Sequence, residues 1–178
     1  KIPHYEIVQI ETYLKEILSE NIPGLNMIIC GSYRRNKKES GDIDILLYHD
    51  AIKDDKSAKK SNYLTLFLKL LLSNKFITDH LTAIDNPTKY MGFCKFKDYN
   101  RRIDIRLIPN NSVGSAMLYF TGSGEFNKSM RTYALKNGFT INEYGIYKLK
   151  PNGEKGLKIR TKTENDIFKT LKLDYVEP

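Results

Sequence analysis

Two short stretches alternate apolar and charged residues with a period of two, Asp42-Ile43-Asp44-Ile45-Leu46-Leu47 and Arg102-Ile103-Asp104-Ile105-Arg106-Leu107. That period belongs to a strand with one buried face, so Ile43, Ile45 and Leu47 on the first, and Ile103, Ile105 and Leu107 on the second, point into a core. The opposite faces then carry Asp42 and Asp44, about 7 Å apart along their strand, and Arg102, Asp104 and Arg106. Taken alone, an Asp-x-Asp reads most often as a solubilising face, and Asp104 as a partner of its own arginines. The context upstream weighs against both. An apolar run, 27–30, reads as a buried strand that feeds Gly31-Ser32-Tyr33-Arg34-Arg35. Gly31 permits a tight turn whose backbone N–H groups, with the Ser32 hydroxyl, can approach phosphate oxygens. Arg34 and Arg35 add planar guanidinium forks suited to phosphate charge. Neighbouring carboxylates repel unless cations neutralise them. A phosphate-gripping turn beside such carboxylates is what phosphoryl transfer requires, and Asp104 completes a trio able to share a pair of magnesium ions.

The remaining pattern places these segments in order. Ile7, Ile10, Leu14, Ile17 and Leu18 form a helical stripe across 4–20. Strands follow at 27–30 and 43–48, a lysine-rich loop at 49–61, and a helix marked by Leu64, Phe67, Leu68 and Leu71. Segments 76–84, 90–97 and 102–108 read as strands, and Pro109-Asn110-Asn111 is the best boundary signal. Beyond it, helices at 114–120 and 126–136 flank a Thr121-Gly122-Ser123-Gly124 break that would serve as a hinge. Strands within 139–160 and a helix opening on a Thr163-x-x-Asp166 capping box complete the chain.

The 178 residues are enough for one large domain or two small ones. Lys and Arg outnumber Asp and Glu by 29 to 21, a net charge of +8 that suggests a polyanionic partner. Cys30 and Cys94 are lone and apolar-flanked, as reduced core thiols of an intracellular protein would be. His4, His49 and His80 lack ligand spacing, so no structural zinc is expected. No segment approaches the roughly 18 apolar residues of a membrane span, and no signal peptide is evident.

Segments 31–47, 101–109, 118–131 and 138–144 closely resemble the catalytic part of DNA polymerase beta, of the family X DNA polymerases, and the similarity can be followed through essentially the whole chain. Gly-Ser with Asp-x-Asp would indicate only the wider nucleotidyltransferase superfamily. Tyr119-Phe120-Thr121-Gly122-Ser123, followed by Phe126-Asn127-Lys128 and Arg131, narrows it. The resemblance implies an α+β fold, with a nucleotidyltransferase-type palm, a mixed β-sheet flanked by helices, over 1–111 and a small α+β thumb over 112–178. It implies a template-directed, repair-type DNA polymerase that adds dNMP to a primer 3′-hydroxyl and releases pyrophosphate, acting in short-gap base excision repair. A template-independent terminal nucleotidyltransferase is the nearest competitor, and a non-catalytic DNA-binding module a further one.

Residue roles follow from the same resemblance. Asp42, Asp44 and Asp104 would ligate two Mg2+ ions, with Mn2+ able to substitute, and Asp104 would lie nearest the primer terminus. Gly31, Ser32, Arg35, Ser40, Gly41 and Asp42 would bind the dNTP at its triphosphate. Tyr119, Phe120 and Gly122 would crowd its sugar, and Asn127 would reach the minor-groove edge of its base. Lys128 would stack near the templating base, and Arg131, with Arg102 and Tyr144, would touch DNA. Arg106, Glu143 and Tyr144 match a closing switch in which the arginine leaves Asp44. The Gly122-Ser123 bond matches a cis peptide of the family. Gly124 departs from the pattern, standing where polymerase beta has an aspartate beside the incoming base, and the hairpin between Phe96 and Arg101 is shorter. The family's lyase and helix-hairpin-helix domains have no counterpart in these motifs. The expected partners are gapped or nicked primer-template DNA and dNTP, bound by a monomer. The expected location is the nucleus for a cellular source, or a cytoplasmic replication site for a minimal viral enzyme.

Overall fold

The stripe of Ile7, Ile10, Leu14, Ile17 and Leu18 is buried along helix α1 (His4–Asn21), which follows a two-residue strand, β1 (Ile2–Pro3). In the computed structural model, which describes every residue from Lys1 to Pro178, the chain divides into two units, Lys1–Pro109 and Asn110–Pro178, each with a core of its own. The division falls directly after Pro109, two residues before the boundary drawn from the sequence. No helix is long and apolar enough to cross a membrane.

In the first unit, β2 (Asn26–Ile29) leads into a single helical turn, α2 (Gly31–Arg34), then β3 (Glu39–Ser40) and β4 (Ile43–Tyr48). Two helices follow, α3 (Asp55–Lys60) and α4 (Tyr63–Ser73), then β5 (Ile77–His80), β6 (Lys89–Phe96) and β7 (Tyr99–Leu107). Strand β1 pairs with β3, and the main sheet runs β2-β4-β7-β6-β5, antiparallel throughout except for the parallel pair β4–β7. The sheet is therefore mixed. Ile43, Ile45, Leu47, Ile103, Ile105 and Leu107 are each at most 2% exposed and share one core with the apolar residues of α1 and α4. Burying each contributes about 1.5–3 kcal/mol, so a one-residue slip of register, which would turn all six outward, is strongly opposed. That commitment keeps the carboxylates on the other face. Helix α1 is tied to β7 by Arg101, whose Nε and Nη2 donate to the Glu6 carboxylate at 2.7 and 2.9 Å in a largely buried pair.

The structure departs from the sequence pattern in several elements, the short strands β1 and β3 among them. The lysine-rich stretch read as loop contains α3, because Asp54 accepts a hydrogen bond from Ser57 N at 2.8 Å while Ser57 Oγ accepts one from Asp54 N, a reciprocal cap, and Ala58 is fully buried. Strand β5 stops at His80, and a bulge between Ile77 and Asp79 interrupts its pairing with β6. Strand β7 begins at Tyr99, lengthened by its hairpin with β6. Helix α6 (Gly124–Lys136) begins two residues early because Ser123 Oγ caps it, accepting from Phe126 N at 3.2 Å.

The second unit opens with a 3-10 turn (Asn110–Ser112) and α5 (Val113–Thr121), which precedes α6. Strands β8 (Phe139–Asn142), β9 (Gly145–Leu149) and β10 (Lys155–Ile159) form an antiparallel sheet in the order β10-β9-β8. Helix α7 (Glu164–Thr170) starts at the Thr163–Asp166 capping box. Leu118, Met130, Ala134, Ile146, Ile167, Phe168 and Leu171 form its core.

Candidate active site

Parallel pairing of β4 and β7 sets Asp44 opposite Asp104. Asp42 lies one residue before β4 rather than within it, yet the three carboxylates converge, each offering an oxygen within 4.8 Å of the others. Asp42 is the most open of the three and Asp104 the most buried. Burial pushes the Asp44 carboxyl up to about 6, helped by the charges of Asp42 and Asp104 and opposed by Arg106 and Arg102. Asp42 is raised as well, by burial first and Asp104 second. Three carboxyl groups so placed form an oxygen-only donor set of the kind hard divalent cations take.

Asp104 is held in place from its own strand. Arg102 Nη2 donates to Asp104 Oδ1 at 3.0 Å, while Arg102 Nη1 donates to the Gly92 carbonyl at 2.7 Å and the guanidinium lies 5.5 Å from the Phe93 ring. The ion pair with Arg102, read from the sequence as the bland alternative, therefore exists together with the carboxylate cluster.

At the end of β2, Gly31 adopts φ +65° and opens α2. A Cβ there would stand 3.1 Å from Asp44 Oδ2, so the glycine provides both the left-handed turn and the close approach of backbone to carboxylate. Ser32 Oγ donates to Ser40 Oγ at 2.7 Å, joining two residues of the expected phosphate site. Arg34 and Arg35 are half-buried on the same turn, and Gly41 has open space around it.

In the second unit, Tyr119 and Phe120 end α5 edge to face, their rings 5.0 Å apart. Asn127 Nδ2 donates to the Tyr119 carbonyl at 2.8 Å, Gly122 has φ +70°, and the Gly122-Ser123 peptide is cis. The break expected over four residues contains only these last two outside helices. Lys128 and Arg131 are exposed on α6. Glu143 and Tyr144 form the turn between β8 and β9. That turn is braced by contacts the sequence reading missed. Asn142 Oδ1 accepts from Tyr144 N and Gly145 N at 2.8 and 3.1 Å, and Ser112 Oγ donates to the Tyr144 carbonyl at 2.8 Å. Lys158 Nζ reaches Ser112 Oγ at 3.3 Å, and its burial lowers the pKa of the amine. The Asn142-Glu143-Tyr144-Gly145 string carries an Asx-turn signal that could have revealed the first of these. Cys30 and Cys94 are buried and form no disulfide, and burial raises the Cys94 thiol to about 12.

Residues 1–110 match the family described as DNA polymerase beta palm, and residues 116–178 the one described as DNA polymerase beta thumb. Over 190 residues the chain is 33% identical to DNA polymerase lambda of Rattus norvegicus, which covers all of this chain and 32% of that protein. It is 28% identical over 194 residues to DNA polymerase lambda of Arabidopsis thaliana, covering the whole chain and 36% of the relative. With DNA nucleotidylexotransferase of Xenopus laevis it shares 27% identity over 199 residues, 94% of this chain and 38% of the relative. The chain thus spans about a third of the length of the curated relatives it matches.

Proposed function

The chain belongs to the DNA polymerase beta family, in palm and thumb alike, and from that membership we infer a template-directed DNA polymerase that joins a dNMP to a primer 3′-hydroxyl and releases pyrophosphate. The observation that carries this reading is the convergence of Asp42, Asp44 and Asp104 within 4.8 Å. Their donor set fits two magnesium ions, or manganese in their stead, because cations would offset the burial and the mutual repulsion that raise Asp44. When bound there, the ions would neutralise triphosphate charge and acidify the attacking hydroxyl.

The chain's own groups supply position and charge. Asp42 and Asp44 would hold the cations and with them the triphosphate, and Asp104, oriented by Arg102, would serve the primer terminus. Backbone N–H groups of Gly31 and Gly41, the Ser32 and Ser40 hydroxyls and Arg35 grip phosphate oxygens. Tyr119, Phe120 and Gly122 exclude a 2′-hydroxyl, Asn127 reads the base edge, and Lys128, Arg131, Arg102 and Tyr144 contact DNA. Arg106, Glu143 and Tyr144 take the role of a conformational switch. Short-gap repair by a monomer, in the nucleus of a cellular source or at a viral replication site, is the setting this activity suits.

Primer extension on one-nucleotide-gapped DNA, with each dNTP supplied singly and Mg2+ present, tests the reading. Addition of the complementary nucleotide alone supports it. Similarity to the Xenopus DNA nucleotidylexotransferase favours template-independent addition as the second reading, and incorporation of whichever dNTP is supplied, template present or absent, would select it. DNA binding without any Mg2+-dependent incorporation would overturn both.

A further inference from the structure

Behind the Arg102 anchor lies a polar arrangement on the core side of the sheet that the mechanism above does not use. Tyr90 is 1% exposed, among the largest fully buried side chains, and lies two residues before Gly92 on the same face of β6. Its hydroxyl donates to the Asp79 carbonyl at 3.3 Å and shares a 2.6 Å hydrogen bond with Nδ1 of His80. Both partners sit on β5 beside the bulge, where Asp79 pairs with Phe93 and His80 with Gly92. A Cβ on Gly92 would collide with the Tyr90 hydroxyl and stand 2.6 Å from the Asp79 carbonyl oxygen, so the phenol lies directly against the Gly92 backbone. The carbonyl of Gly92 receives Arg102 Nη1 at 2.7 Å, and Arg102 Nη2 holds Asp104 Oδ1 at 3.0 Å. One continuous run of contacts therefore joins exposed His80 to the most buried of the three carboxylates.

We propose that Tyr90 and His80 are positioning residues: they clamp the Gly92 peptide next to the β5 bulge, so that its carbonyl fixes Arg102 and Arg102 fixes the Asp104 carboxylate. Bulged pairing leaves an edge strand locally free to shift, and a hydrogen-bonded clamp removes that freedom. Burial pushes the Tyr90 phenol up to about 12, with Cys94 and Asp79 adding to it, so the hydroxyl keeps its proton at any working pH. The functional consequence rests on the polymerase reading. The effect on the carboxylate cluster does not.

The test uses Tyr90→Phe, His80→Ala and His80→Gln in the whole chain, with thermal unfolding to verify folding. Mn2+ binding without DNA is followed by electron paramagnetic resonance, and steady-state incorporation is measured on gapped DNA. Tyr90→Phe and His80→Ala should each weaken Mn2+ binding about threefold and lower kcat about fivefold, with KM for dNTP changed less than about twofold. His80→Gln, which keeps a hydrogen-bonding side chain, should recover most of both. Wild-type Mn2+ affinity in Tyr90→Phe and His80→Ala would overturn the proposal, as would failure of His80→Gln to recover anything. Should the wild type bind Mn2+ yet incorporate nothing, the polymerase reading fails while the Mn2+ titrations still decide the clamp.

Discussion

Asp44 and Asp104 occupy one register position on neighbouring strands, yet their surroundings differ. Asp104 is held by Arg102, whereas Asp44 is burdened by burial and by two neighbouring carboxylates. Under the polymerase reading, Asp104→Ala removes the group serving the primer while Asp42, Asp44 and Arg35 keep the triphosphate. Single-turnover extension should fall by a factor on the order of 10³, with Mg-dNTP affinity changed less than about threefold in a nucleotide titration. Turnover close to wild type would remove Asp104 from the chemistry. Asp44→Asn reports on the cluster without any DNA. In the folded protein the Asp44 carboxyl titrates near 6, above its ordinary 3.8, so between those values the folded chain holds more protons than the unfolded one. Its contribution to stability is therefore fully present below about pH 4 and lost as pH rises through 6, leaving the ionised group unfavourable at neutral pH by at most about 3 kcal/mol. In EDTA at pH 7.5, Asp44→Asn should melt several degrees higher than wild type, and the gap should close at pH 4. A lower melting temperature at pH 7.5 would contradict the electrostatic account. The identity of the three acids was legible because strand period two separates them cleanly from Ile43, Ile45, Ile103 and Ile105. The raised pKa was not, since it depends on convergence across a pairing that no local pattern specifies.

Elements were legible where one periodicity dominates. Helices α1 and α4 and strands β4 and β7 follow from apolar spacing alone, and α7 from its capping box. Helix α3 was hidden because lysines dominate its composition, while its stability comes from a cap between Asp54 and Ser57 and the burial of one alanine. Charge likewise concealed the tie between α1 and β7. Glu6 is 5% exposed on an otherwise apolar helix face, and only the partner 95 positions away explains it. Glu6→Ala would leave the Arg101 guanidinium buried without its carboxylate and should destabilise the first unit by about 3–5 kcal/mol. Glu6→Gln, which still accepts one hydrogen bond, should cost less. Urea unfolding of the two variants checks this order, and equal losses would mean that packing rather than charge sets the value of the pair.

At the scale of the whole molecule the proposed roles fall into separate units. All three carboxylates, the Gly31 turn and the Tyr90 clamp lie within Lys1–Pro109, while Tyr119, Asn127, Lys128 and Arg131 belong to Asn110–Pro178, and the two cores share no residue. The boundary was visible in Pro109-Asn110-Asn111 because turn-forming residues there interrupt both periodicities. The bracing of Tyr144 by Ser112 and Lys158 was not, since it joins the start of the second unit to its last strand. Two independent cores make a sharp expectation for Phe168, which is 1% exposed and packs edge to face on Tyr175 at 5.5 Å. Phe168→Ala should destabilise the second unit by about 3–5 kcal/mol through the cavity it leaves. Mn2+ binding to the first unit should stay within about twofold of wild type, because the two cores share no residue and substitutions without shared partners act additively. Nucleotide selection, measured as the ratio of complementary to mismatched dNMP incorporation on gapped DNA, should fall steeply. A parallel loss of Mn2+ affinity would mean that the metal site depends on the second core, and the assignment of chemistry to one unit and selection to the other would have to be abandoned.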